Sequence, residues 1–279
     1  MNNTNSSNNI KDNFNNLEFN ISQEIQCHNT ALRSFSQIND ILVTGSFDYS
    51  CNIYKQLFHD SINTNTNINN ISKSYTYELF NTTKFHTSFV FKVFPLKDKK
   101  CFLSSSKDKS IMMMDLEGNP LKQFLGHEGP VNSISQYDSK TFISGSWDGT
   151  ARLWDLESTS CISILPNHFN AVTVCAFPNS MYITGSQDKR LRFWIKDHNT
   201  KNVDDAHKDI IRDITPNSDY TKFYTCSNDE TIKLWNLIGQ HLLTLPSTHD
   251  GYVFRVISIG DYIFSGGDDK VVKVFYSKF

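Results

Sequence analysis

The chain has 279 residues, with 27 lysines and arginines against 29 aspartates and glutamates, and a formal net charge of −2. This balance excludes an overall field that would gather nucleic acid or an anionic membrane, so we expect proteins as partners. No apolar run reaches the roughly 18 residues of a membrane-spanning helix, and the six cysteines have no close pair, which favours reduced core thiols. We expect a cytoplasmic or nuclear monomer that binds no nucleic acid, membrane, metal or cofactor.

Two asparagine-rich tracts interrupt an otherwise β-rich sequence. Residues 1–16 have almost no apolar side chains to bury, which predicts a disordered tail. Residues 17–25, LEFNISQEI, alternate enough to predict a strand. Residues 59–74, HDSINTNTNINNISKS, add length without an apolar pattern, so we expect a flexible insertion within one domain spanning residues 17–279.

Short β-rich runs bounded by turn residues follow one another in groups of three. The first groups are LRSFSQ, ILVTGSF and CNIYKQ, then VFKVF, CFLSSS and SIMMMDL, then VNSISQY, TFISGS and TARLWDL. Each group predicts a small antiparallel meander. The later middle strands YITGS, FYTCS and YIFSGG are almost wholly apolar or small, which predicts cover on both faces. Because Met112 to Met114 point to alternate faces of a strand, we expect them to fill the core rather than bind a soft metal.

Four positions recur in six copies at a spacing typical of repeat proteins. They are a histidine, a serine or threonine four residues before a turn aspartate, the aspartate itself, and an aromatic residue or methionine six residues after it. The histidines are His28, His86, His127, His168, His207 and His249, and the hydroxyl residues are Thr44, Ser104, Ser144, Thr184, Thr225 and Ser265. The turn aspartates are Asp48, Asp108, Asp148, Asp188, Asp229 and Asp269, followed by Tyr54, Met114, Trp154, Trp194, Trp235 and Phe275.

This pattern resembles the WD-repeat family, in which a repeat of roughly 40 to 45 residues forms one four-stranded blade of a β-propeller. The resemblance implies an all-β fold with six recognisable blades. In such a propeller the strand that precedes the first histidine, here residues 17–25, lies beside the last blade and closes the ring.

The repeated histidine, hydroxyl and aspartate also invite a catalytic interpretation. A catalytic triad needs one nucleophile that its surroundings make distinct, whereas this set appears once in every repeat. An indole N–H can donate to a hydroxyl, the hydroxyl to a neutral imidazole, and the imidazole N–H to a carboxylate, which satisfies all four groups. We therefore predict structural networks and no enzyme activity. The networks are His127, Ser144, Asp148 and Trp154; His168, Thr184, Asp188 and Trp194; and His207, Thr225, Asp229 and Trp235.

Met114 and Phe275 cannot donate a hydrogen bond, so the second and sixth repeats should have shorter networks.

A binding surface follows from the same resemblance. In WD propellers the residues three and five after the histidine, and the residue before the turn aspartate, surround the mouth of the central channel. The partner-binding candidates at these positions are Phe47, Phe89, Phe91, Pro130, Trp147, Ile210, Arg212, Tyr252 and Phe254. Clustered exposed aromatics with arginine nearby are typical of a protein-binding hot spot, although some of these side chains could instead lean into the channel or between blades.

The third to fifth repeats narrow the resemblance. The segments GHEGPVNSI, FISGSWDGTARLW, NHFNAVTV, YITGSQDKRLRFW, AHKDIIRD and FYTCSNDETIKLW are similar, in order, to the middle blades of the phospholipase A2-activating protein (PLAA) family. That resemblance implies a top face that binds ubiquitin or ubiquitinated proteins in ubiquitin-dependent degradation and sorting. The same resemblance also implies that the protein works with an AAA ATPase segregase. The region that would make this contact lies outside the segments quoted above.

The PLAA family has seven blades, whereas this chain shows six repeats, so whether the ring closes with six stays open. A general WD scaffold for another protein or a peptide is the alternative function. An enzyme is the third, and it would need one repeat's histidine or aspartate to be exposed and reactive.

Overall fold

The computed structural model describes residues 23–62, 71–96, 99–136, 138–166, 168–245 and 249–276. The predicted tail and residues 17–22 of the predicted first strand lie outside this part of the chain, and residues 23–25 of that prediction do not form a strand. The strands are β1 (Leu32–Ile38), β2 (Ile41–Ser46), β3 (Cys51–Ile62), β4 (Ile71–Thr83), β5 (Val90–Leu96), β6 (Cys101–Ser106), β7 (Ile111–Asp115), β8 (Pro120–Phe124), β9 (Val131–Ser135), β10 (Thr141–Ser146), β11 (Ala151–Asp155), β12 (Cys161–Leu165), β13 (Val172–Phe177), β14 (Met181–Ser186), β15 (Leu191–Ile195), β16 (His198–Val203), β17 (Ile211–Pro216), β18 (Lys222–Ser227), β19 (Ile232–Asn236), β20 (His241–Thr244), β21 (Val253–Ile259), β22 (Tyr262–Gly267) and β23 (Val272–Tyr276).

These strands form six antiparallel meanders in which sequential strands are neighbours. Blades one to five are the four-stranded sheets β1–β4, β5–β8, β9–β12, β13–β16 and β17–β20, and blade six is the three-stranded sheet β21–β23. The predicted all-β architecture of six blades is confirmed. None of the described segments forms a helix that could cross a membrane.

The core lies between blades, where the first strand of one blade packs on the sheet of the blade before it. In one such layer Cys51 and Ile53 of β3 pack with Val90 and Val93 of β5. Strands β6 and β10 are buried along almost their whole length, as the apolar sequences predict. Met113 packs in a different core layer from Met112 and Met114, so the methionine run fills the core on both faces of β7.

Blades one and six do not repeat this packing with each other. The first strands of successive blades pack in pairs from β1 and β5 through β17 and β21, but in the part of the chain that the structure describes β21 and β1 form no such pair. Val272 and Val274 of blade six are 69% and 42% exposed, although the same repeat positions are buried in the other five blades. Leu32 and Phe35 of β1 are likewise 45% and 64% exposed.

Blade six also corrects the expectation for YIFSGG. Its strand β22 is only partly covered, and Tyr262 is exposed at one end. The sequence pattern matches the other middle strands, but burial on both faces needs a blade on each side.

The asparagine-rich insertion differs in extent from the expectation. Residues 59–62 and 71–74 belong to a long hairpin of β3 and β4, with Ile62 paired to Ile71, and residues 63–70 lie outside the described part. Backbone pairing extends this hairpin even where the side chains are polar. Gln23 lies next to it: its side-chain amide donates to the Tyr77 carbonyl at 2.8 Å and accepts from the Tyr77 N–H at 2.7 Å.

Candidate functional site

The histidine networks hold the loops that form the candidate binding face. In blade three the imidazole Nδ1 of His127 donates to the Asp148 carboxylate at 2.8 Å. The Ser144 hydroxyl donates to His127 Nε2 at 2.7 Å and accepts from the Trp154 indole at 2.8 Å. Each donor therefore has an acceptor, and the network ties the loop before β9 to the turn between β10 and β11.

Blades four and five contain the same network. In blade four the histidine–aspartate, histidine–hydroxyl and indole–hydroxyl distances are 2.8, 2.8 and 3.0 Å for His168, Asp188, Thr184 and Trp194. In blade five they are 2.9, 2.6 and 2.9 Å for His207, Asp229, Thr225 and Trp235. The structure thus brings together all twelve residues that the sequence assigned to networks.

The other three blades have shorter networks. His86 contacts Asp108 at 2.9 Å and Ser104 at 2.8 Å in blade two, and Met114 adds no donor. Blade six is similar, with His249 2.8 Å from both Asp269 and Ser265. In blade one His28 contacts Asp48 and Thr44, but the Tyr54 hydroxyl instead donates to the Cys27 carbonyl at 3.3 Å.

The charges in these networks are fixed by burial and hydrogen bonding. Burial alone would raise the pKa of Asp148, but hydrogen bonds from His127 and Thr150 outweigh it and hold the pKa below its usual range. Burial lowers the pKa of His127 against the opposing effect of Asp148, and His168 and His207 behave in the same way. The carboxylates are therefore charged and these imidazoles neutral near pH 7, with both ring nitrogens engaged.

A second regular contact builds the top face, which we define as the face that carries the turns between the second and third strands. In every blade the residue that precedes the turn aspartate donates its backbone N–H to a carbonyl. That carbonyl belongs to the residue three positions after the repeat histidine. The pairs are Phe47 with Ala31, Lys107 with Phe89, Trp147 with Pro130, Gln187 with Ala171, Asn228 with Ile210, and Asp268 with Tyr252, at 2.8 to 3.2 Å. The repeat thus places two of the predicted surface positions side by side, the residue before the turn aspartate and the residue three after the histidine.

Four predicted residues from three successive blades form one connected aromatic group, the aromatic rim. Phe47 stacks on Phe89 with ring centroids 4.3 Å apart and meets Phe91 edge-on at 6.1 Å. Phe91 then stacks against Trp147 at 5.9 Å. Trp147 is 50% exposed, whereas Phe91 is buried beneath its neighbours and supports the rim from below.

Blade six supplies a second aromatic pair. Tyr252 and Phe254 meet at 6.4 Å, and the Arg212 guanidinium lies 5.7 Å from the Phe254 ring centroid. Arg212 also donates to the Asn228 side chain at 2.7 Å, which fixes its orientation. Tyr252 is exposed, and Phe254 and Arg212 are partly buried.

A cavity of about 70 Å³ at the centre of the top face, the channel mouth, joins the two groups. Its lining includes five predicted residues, Phe91, Trp147, Ile210, Arg212 and Phe254. Pro130 does not line it and acts through its carbonyl, which accepts from Trp147. Below the mouth lies a channel of about 620 Å³ between the first strands of the blades.

Sequence reasoning missed three residues of this surface. Tyr49 is exposed and its ring lies 5.8 Å from Phe89, so it extends the rim outward. Lys92 and Arg255 line the channel. Both lie six residues after a repeat histidine, directly after the position that the sequence assigned to the top face. Strand alternation could have indicated that they face the channel.

Comparisons with known proteins agree with this geometry. Residues 118–155, 159–194 and 199–236 match the model of the WD domain, G-beta repeat. No curated protein matches the sequence. The crystal structure of the WD40 beta propeller domain of Doa1 is similar over 90% of this chain and 80% of that one, with a TM-score of 0.74 and 26% sequence identity. The chain is a six-bladed β-propeller with WD40 repeats, and propellers of this type are typically non-catalytic scaffolds for proteins.

Proposed function

We propose that this propeller is a non-catalytic module that binds ubiquitin on its top face, within ubiquitin-dependent protein degradation or sorting. The aromatic rim is the observation that carries the proposal. It is a connected group of four rings from three blades, two stacked pairs joined by an edge-on contact, with the half-exposed indole of Trp147 beside the channel mouth. Aromatic side chains held rigidly at a surface bind apolar patches at a low cost in conformational entropy.

The class of partner comes from the sequence. The third to fifth repeats resemble the ubiquitin-binding PLAA family, and Trp147 lies in the first of these three repeats. Ubiquitin offers a small apolar patch, which the four aromatic side chains of the rim can contact. We expect a weak complex, with a binding free energy of about 4 to 8 kcal/mol, or millimolar to micromolar affinity.

The networks argue against catalysis. The six repeat histidines are buried, and each contacts a carboxylate through Nδ1 and a hydroxyl through Nε2. A serine or threonine that already lies between an imidazole and an indole has no free path to a substrate. The same constellation in blade after blade supports the fold rather than one reaction centre.

A general scaffold for another protein or a peptide is the second candidate. The channel mouth favours it, because a cavity of about 70 Å³ suits one inserted side chain better than the surface of a folded domain.

Titration of isotope-labelled ubiquitin with this chain, followed by NMR, tests the proposal. We expect shifts confined to the apolar patch of ubiquitin. Trp147→Ala and Phe89→Ala should each abolish them. Ile162→Ala is the matched control, because Ile162 is 51% exposed on the outer strand β12 of the blade that carries Trp147.

Absence of shifts at near-millimolar concentration of a folded chain would refute ubiquitin binding and leave the scaffold. Shifts that survive both aromatic substitutions but vanish with Ile162→Ala would place the contact on the blade edge and overturn the assignment of the top face.

A further inference from the structure

The central channel concentrates positive charge in a chain whose net charge is −2. Arg33 and Arg255 line both the channel mouth and the channel below it. Arg212 lines the mouth, and Lys92 lines the channel. Four cationic side chains from four different strands thus converge on one axis.

Only one carboxylate opposes them among the described residues that line these two cavities. Asp213 contacts Arg255 at 3.3 Å and accepts the backbone N–H of Val256 at 3.4 Å. Arg212 donates to the neutral amide of Asn228. The side chains of Arg33 and Lys92 have no hydrogen bond or ion pair with any described residue.

Burial and the neighbouring cations both lower the pKa values of the two unpaired side chains. Burial, followed by repulsion from Arg255 and Arg212, lowers the pKa of Arg33. Burial and the charge of Arg255 lower the pKa of Lys92 to about 8. The fold therefore holds these charges together at a cost that a negatively charged group in the channel would relieve.

The lining of the channel mouth also indicates which kind of molecule should carry the negatively charged group. Asn132 lines it, and its Oδ1 is buried without a hydrogen-bond partner in the described structure. An unpaired acceptor of this kind suits a backbone N–H donor. Phe91, Trp147 and Phe254 supply apolar walls beside the guanidinium groups. A peptide offers the N–H donor, the apolar side chains and the anion together, whereas a free inorganic ion offers only the last.

We propose that the channel mouth binds a peptide segment of a protein partner that inserts an oxyanion between Arg33 and Arg255, above Lys92, while Asn132 accepts a backbone N–H. Guanidinium groups pair with carboxylate and phosphate oxygens in a bidentate manner, so either group fits this site. The proposal goes beyond ubiquitin binding and does not require it, because the segment can belong to any partner held on the top face.

Isothermal titration calorimetry with four short peptides tests the proposal. Three are acetylated and amidated, with leucines on both sides of a central glutamate, phosphoserine or glutamine, and the fourth is the glutamine peptide with a free carboxyl terminus. We expect at least one anionic peptide to bind and the neutral peptide not to bind. The binding peptide identifies the source as an acidic side chain, a phosphorylated side chain or a chain terminus.

Two variants locate the site. Arg33→Gln and Lys92→Met should each weaken binding about tenfold, which corresponds to about 1.4 kcal/mol. Lys92→Met should also raise the melting temperature, because it removes a partly buried ammonium group without a partner. Lys140→Gln, an exposed lysine between β9 and β10, should leave the affinity unchanged.

Equal binding of neutral and anionic peptides, no binding of any anionic peptide at about 1 mM, or unchanged affinity in Arg33→Gln would each overturn the proposal. The ubiquitin titration reports on the aromatic rim and uses no peptide. Failure of one proposal is therefore distinguishable from failure of the other.

Discussion

Ile232 and Val272 occupy the same position of the repeat, three residues after the turn aspartate, yet Ile232 is fully buried and Val272 is 69% exposed. The difference comes from the next blade. Ile232 packs against Val253 and Val256 of β21, whereas no described strand packs on Val272 in this way. The sheet of blade six therefore has an apolar face that its own repeat does not cover.

Alanine substitution should reveal this difference in stability. Ile232→Ala should lower the free energy of unfolding by about 2–5 kcal/mol, because it leaves a cavity between two blades. Val272→Ala should change it by less than about 0.5 kcal/mol, because the side chain is largely solvated. Urea denaturation measures both values, and Val253→Ala provides a buried valine of the same blade as a control. A large loss for Val272→Ala would show that this face is covered in solution.

Two glycines that share another position of the repeat also differ in whether a neighbouring blade covers them. A Cβ on Gly145 would lie 2.3 Å from the Val172 carbonyl oxygen of the next blade, whereas a Cβ on Gly266 would meet nothing within 4 Å. Gly145→Ala should therefore force the blades apart and lower the melting temperature. Gly266→Ala should be neutral or stabilise by about 0.4–1 kcal/mol, through a reduced entropy of the unfolded chain. Differential scanning calorimetry of the two variants compares them, and equal losses would contradict an open face on blade six.

The sequence was sufficient for the features that every repeat shares. Histidine, hydroxyl and aspartate recur at fixed spacing in all six repeats, with an indole in three of them, and their donors and acceptors can be matched without coordinates. The network of His127, Ser144, Asp148 and Trp154 therefore follows from the residues alone, as does the shorter one of blade two, in which Met114 supplies no donor.

Features that depend on neighbours in space could not be predicted in the same way. The apolar pattern of β22 is that of the other middle strands, and β22 is more exposed because no described strand covers the outer face of blade six. The extended hairpin of β3 and β4 depends on backbone pairing, which polar side chains do not indicate. The charge of the channel arises because Arg33, Lys92, Arg212 and Arg255, far apart in sequence, meet on one axis.

The different lengths of the networks should appear as different costs for one substitution. Ser144→Ala leaves two buried groups without a partner, the imidazole Nε2 of His127 and the indole N–H of Trp154, and each costs about 1–3 kcal/mol. Ser265→Ala leaves only the imidazole of His249, because Phe275 donates nothing. We expect Ser144→Ala to lose roughly twice as much stability in urea denaturation. Equal losses would show that the indole hydrogen bond contributes little to the network.

Acidification should destabilise the fold in two steps, because both partners of the networks have lowered pKa values. The pKa values of His127, His168 and His207 lie below their usual value in the folded chain, so the unfolded chain binds more protons as the pH falls through about 6.5. The turn aspartates, whose pKa values are also lowered, add a second loss as the pH falls through about 4.

Urea denaturation at pH 7.5, 6.0, 5.0 and 3.5 should give a free energy of unfolding that falls with each step, first from the histidines and then from the aspartates. The exposed His198 provides the control, because its replacement by glutamine should leave this dependence unchanged. Stability that stays constant or rises between pH 7.5 and 5.0 would mean that the buried imidazoles accept protons without cost. In that case networks with neutral imidazoles would not be the form that stabilises the blades.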